Sequence, residues 1–112
     1  DTPEIIATWR PEGYLLKSSG TNDNHVWLLF SCSEDTSILV EWHRLTESSV
    51  LLDQEASYVE SISIQGRLGI LVSKENDLQI LVNNEDGSVL TVWSDALSRR
   101  ELITFANGLV MQ

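Results

Sequence analysis

Two histidines (His25 and His43), one cysteine (Cys32) and the acidic pairs Glu34-Asp35 and Glu85-Asp86 have the most to offer chemically. Imidazole, thiolate and carboxylate together would make a metal centre or a Cys–His nucleophile pair. The spacing supports neither. There is no His-x-x-x-His pair, and a lone cysteine excludes an all-cysteine cage. His25 falls in a stretch read as loop, and His43 falls on the polar side of a strand. Both are expected to be structural or solvated. Asn83-Asn84-Glu85-Asp86-Gly87 is rich in oxygen donors but lacks the alternating ligands and distal Glu of a calcium loop, so it reads as a hairpin. No Gly-x-Ser-x-Gly elbow, Ser-His-Asp order or phosphate-binding glycine loop is present. Nothing positions a pair of glycosidase carboxylates. The chain is therefore expected to be no enzyme, with no catalytic residue, metal or cofactor assigned.

Binding is left to the aromatic residues. Trp42 and Trp93 fall on the inward alternation of their strands, and Trp27 falls opposite Leu28, where the closing helix would cover it. Trp9 lies in an N-terminal arm and is expected to be partly exposed, as a sugar or protein hot spot requires. Trp9, Tyr14 and Trp27 are the candidate partner contacts.

Charge narrows the partners. Over 112 residues there are 17 acids and 7 bases, a net charge of −10, and both halves are acidic. Such a surface repels phosphate backbones and anionic membranes, so nucleic acid is not expected as a partner. The length suits one domain spanning residues 1–112, and an apolar fraction of 42% suits a folded core. No run approaches the roughly 18 apolar residues of a membrane span. The opening Asp1-Thr2-Pro3 reads as a trimmed start, so any signal or anchor would lie outside this chain.

The elements that position these residues are mostly strands. Residues 1–13 read as an arm that ends in the turn Pro11-Glu12-Gly13. Tyr14–Lys17 reads as a short strand and Ser18–Asn24 as a polar loop. In Val26–Cys32, Val26 and Phe30 share their side with Cys32, which is expected to be a buried thiol. In Ile38–Leu45, Ile38, Val40 and Trp42 alternate with Glu41 and His43. Residues 46–57 form a long connection whose role is not readable. A meander follows, with Ile62 and Ile64 inward, a Gln65-Gly66 turn, then Leu68, Ile70 and Val72, then Leu78, Ile80 and Val82, then Val89, Thr91 and Trp93. Ser98-Arg99-Arg100-Glu101 is a capping box flanked by the staple Leu97/Leu102, and it starts a helix over 98–108. Leu102, Ala106 and Leu109 give its apolar repeat and Asn107-Gly108 its stop. The fold class is α+β: an antiparallel sheet of about six to seven strands with the C-terminal helix on one face.

Three stretches together resemble the domain-of-unknown-function family 4367, found mostly in clostridial and related Gram-positive bacteria. They are Trp9-Arg10-Pro11-Glu12-Gly13-Tyr14, the hairpin from Val59 to Val72 with its Gly66 and Gly69, and Leu97-Ser98-Arg99-Arg100-Glu101-Leu102-Ile103. Members often carry Trp in the penultimate strand, where this chain has Ile80, Leu81 and Val82. The resemblance implies an extracytoplasmic domain, membrane-anchored or secreted, sometimes attached to anti-sigma-factor-like proteins. It implies no established activity. The leading expectation is a binding or sensory domain that contacts a protein or a cell-envelope component. A carrier of small apolar ligands or lipids would instead need a cavity lined by Leu28, Ile70, Trp93 and Phe105. A hydrolase would need a cleft with two interacting titratable groups.

Overall fold

Alternating β-branched and aromatic residues broken by Gly, Asn and Asp turns dictate successive hairpins. The computed structural model describes residues 2–33, 35–44 and 58–112, and the connection read over 46–57 lies outside them. One group of strands comprises β2 (Leu15–Asn22), β3 (His25–Ser33) and β4 (Thr36–His43). The other comprises β5 (Tyr58–Ile64), β6 (Arg67–Lys74), β7 (Asp77–Asn83) and β8 (Val89–Ser94). They join through β4 and β8 into one antiparallel sheet of seven strands, ordered β2-β3-β4-β8-β7-β6-β5. A separate ribbon pairs β1 (Ile5–Ala7) with β9 (Leu109–Met111), and α1 (Arg99–Asn107) precedes β9.

The turns obey local chemistry. Gln65 and Gly66 both take positive φ (54° and 77°), as a two-residue hairpin with the right twist demands. The capping box forms as read: the Ser98 hydroxyl accepts from the Glu101 amide, and the Glu101 carboxylate accepts from the Ser98 amide. Leu102, Phe105 and Ala106 then point into the sheet, and Gly108 ends the helix.

The core lies between helix and sheet. Ile38, Val40 and Trp42 meet Leu90 and Val92 across β4–β8, and Ile80 and Val82 continue the layer. Phe105 meets Phe30 edge-to-face at 5.6 Å between ring centroids. Arg99 donates two hydrogen bonds to the Glu60 carboxylate (2.9 and 2.6 Å), and the Gln65 amide donates to Asn107 Oδ1 (2.8 Å). Each end of the helix is thereby fastened to the β5–β6 hairpin.

Several expectations need correction. Ser18–Asn22 is strand, not loop: β2 is an edge with little burial, so its residues need no apolar alternation. The arm supplies β1 and the residues after the helix supply β9, so Leu109, counted in the apolar repeat of the helix, is a strand residue. On β6 the inward residues are Gly69 and Leu71, while Leu68 and Ile70 face away; likewise Leu90 and Val92 are inward on β8, and Thr91 and Trp93 are not. Apolar residues line both faces of these strands, so alternation alone left the side ambiguous. Cys32 is exposed, because an irregularity between Ser31 and Ser33 breaks its phase with Phe30.

Two carboxylates tie local geometry to pH. The Arg99 guanidinium lowers the pKa of Glu60. The hydroxyl and amide of Ser88 lower that of Asp86. Folded values below the unfolded ones mean stabilisation that is present above the ordinary carboxylate range, about 3.9–4.3, and lost as pH falls through the depressed values. Asp86→Asn and Glu60→Gln should therefore each flatten the acid limb of stability against pH. Urea midpoints taken from neutral pH down to about 2 check this, and an unchanged limb would refute it.

Candidate functional site

The β3–β4 hairpin brings together residues eighteen positions apart. His25 opens β3, and its Cα partner is His43 on β4; Trp27 is likewise opposite Glu41. All four side chains share the sheet face turned away from the helix, since Val26, Trp42 and Val40 occupy the core side. His25 Nε2 lies 2.8 Å from Glu41 Oε2, and His43 Nε2 lies 3.5 Å from the same oxygen. The two imidazoles stack at 4.4 Å with planes 10° apart. The Trp27 ring sits 5.5 Å from that of His25. Side-chain exposures of 29% for His25, 29% for Glu41 and 36% for His43 leave the group open on one side.

Trp27 is held by absence of volume. A Cβ on Gly20, its cross-strand partner, would come 1.9 Å from Trp27 Cη2, so the indole lies directly over the glycine. Trp27 is thus placed beside His25 on the face opposite the helix, not beneath it. Trp93 lies on the same face, where its indole N–H donates to Asp77 Oδ2 at 3.3 Å.

Sequence spacing placed His25 in a loop and gave it no partner. Part of the signal was present nonetheless. Glu41 and His43 alternate against Ile38, Val40 and Trp42 in the sequence, and their register with His25, centred on position 34, is set by the irregularity between Ser31 and Ser33.

The other candidates separate. Tyr14 is only 8% exposed and belongs to the core, which withdraws it from any contact surface. Trp9 is 40% exposed, as expected. It follows the β1–β9 ribbon, where Ile6 and Val110 are directly opposed and each 39% exposed. The Thr8 amide and hydroxyl both donate to Gly108 O (2.9 and 2.5 Å), fixing the backbone at the approach to Trp9. Glu85 and Asp86 lie in the β7–β8 hairpin as read, and Asp86 is occupied by Ser88.

The four residues of the envisaged carrier cavity do not line one space. Leu28 and Phe105 are on the helix side, and Ile70 and Trp93 are on the other. Between helix and sheet, Phe105, Leu102, Ile38, Val40, Ile80 and Val92 are fully buried against one another. The open clefts are at the rim. One, of about 550 Å³, is lined in part by Pro3, Trp42, Arg67, Asn84 and Met111.

No helix among the described residues is long and apolar enough to cross a membrane. No curated protein and no solved structure matches the chain. A family does, along nearly the full length and through all three sequence stretches noted above: with residues 4–109 matched, the chain belongs to the family described as Domain of unknown function (DUF4367).

Proposed function

We propose that the chain is a non-catalytic binding or sensory domain that works by protein–protein contact, with Trp9 at the centre of the contact. The observation that carries this reading is the outer side of the β1–β9 ribbon. Ile6 and Val110 face solvent together, and Trp9 follows them on a backbone pinned to Gly108. Exposed aromatic anchors on a fixed backbone are the usual cores of protein contact sites. The filled space between helix and sheet supports contact over carriage of a ligand in that position. The net charge of −10 favours a partner with a basic surface. The likeness to extracytoplasmic, mostly clostridial domains, some attached to anti-sigma-factor-like proteins, supports a setting outside the cytoplasm. The full-length protein would there be anchored or secreted, facing a protein or an envelope component.

The test is a photo-crosslinking amino acid placed at position 9 and, separately, at the exposed helix residue Arg100, in cells of a Gram-positive host. A discrete protein adduct from position 9 that is absent from position 100 is the expected result. No adduct from position 9, or the same adducts from both positions, would sink the proposal. A carrier would instead show a thermal shift with apolar ligands.

A further inference from the structure

We infer that His25, Glu41 and His43 bind a single divalent transition-metal ion on the sheet face away from the helix. Two imidazole nitrogens and one carboxylate oxygen already lie within 4.8 Å of one another, the one such grouping of three among the described residues. Zinc with nitrogen and oxygen donors at about 2.0–2.2 Å holds tetrahedral ligands roughly 3.4 Å apart. The 2.8 and 3.5 Å separations bracket that spacing, so small side-chain rotations would close the site. His25 and His43 are register partners at the end of the β3–β4 ladder, and β8 flanks β4 there through Val89, so the backbone already sets the two imidazoles side by side.

Donor type selects the ion. Two imidazoles and one carboxylate suit zinc, copper or nickel, whereas calcium and magnesium require mostly oxygen ligands. Three protein ligands and an open side leave at least one coordination position to water or an outside group. Local charge agrees. The neighbouring guanidinium of Arg44 lies 5.4 Å over the Trp42 ring, and Trp42 points to the core side. The acidic surface raises the concentration of cations near the site. The competing possibility is a histidine–glutamate hydrogen bond beneath stacked imidazoles, with no affinity for metal.

Trp27 supplies a reporter, with its ring 5.5 Å from His25. The experiment titrates chelator-stripped protein with Zn²⁺ by calorimetry, and with Cu²⁺ by tryptophan fluorescence. One equivalent of Zn²⁺ is expected to bind and to raise the melting temperature. His25→Ala and His43→Ala should each weaken binding by about tenfold or more. Glu41→Gln, which keeps the shape and an acceptor oxygen, should weaken it too. Cu²⁺ should quench wild type more than Trp27→Phe. Melting curves without metal establish that each variant is folded, and Glu41→Gln decides the matter if a histidine variant is not. No Zn²⁺ binding at about 1 mM, or variant titrations that superimpose on wild type, would overturn the inference.

Discussion

Phe105→Ala is expected to lower the unfolding free energy by about 3–5 kcal/mol, a large share of the roughly 5–15 kcal/mol available to a domain of this kind. Phe105 has no exposed surface and is the largest of the fully buried side chains among the described residues. It is also where the helix meets Phe30 on β3, across the middle of the sheet. Truncation removes the transfer energy of the ring and leaves a void that Leu102 and Ile80 cannot fill without leaving their own places. Urea unfolding at neutral pH measures the loss. Phe105→Leu, which retains most of the volume, should recover more than half of it. A loss under about 1 kcal/mol for alanine would mean that helix and sheet are far less tightly packed than the geometry indicates.

Ser94→Ala is expected to cost about 2–3 kcal/mol despite removing a single atom. Ser94 is fully buried at the end of β8, and its hydroxyl makes three hydrogen bonds. It donates to the Ser37 carbonyl (2.8 Å) and accepts from the amides of Ala96 and Leu97 (3.1 Å each). Those amides belong to the segment that turns the chain from the sheet into the helix, where no ladder partner replaces the lost acceptor. The damage should be local as well as global. Amide hydrogen exchange at Leu97 should accelerate more than at Leu90, deep in the ladder. Equal acceleration at both would show that the hydroxyl is not the acceptor that holds this corner.

What was legible in the sequence was local. The capping box from Ser98 to Glu101, the Gln65-Gly66 and Asp86-Gly87 turns, and the alternation of Ile38, Val40 and Trp42 each involve neighbours within a few positions. The structure reproduces each of them. What was missed depends on distant partners. β1 and β9 are too short to show a period, and each is a strand only because the other lies beside it, about a hundred residues away in the chain. The second half of β2, Ser18–Asn22, looked like a loop because its edge position relaxes the demand for apolar residues. Gly69 hid the phase of β6, since an inward residue without a side chain leaves the outward Leu68 and Ile70 to mimic the core pattern. The histidine–glutamate group fell between these cases. Its members are separately unremarkable, and only the register of the hairpin, counted outward from position 34, makes them neighbours.

The pairing of β1 with β9 fixes how the domain would respond to tension. Reciprocal bonds between Glu4 and Gln112 (2.9 Å each) close the ribbon at its outer end, so the two chain ends leave from the same place. A load applied across them would open an antiparallel pair from its tip, one rung after another. It would not slide two long strands past each other. The first rungs to part, Glu4 with Gln112, then Ile5 with Met111 and Ile6 with Val110, lie outside the seven-stranded sheet, so the ribbon yields as a mechanical fuse while the sheet stays intact. Its opening would also separate Ile6 from Val110, so tension would dismantle the apolar surface that leads to Trp9 well before the domain itself unfolded.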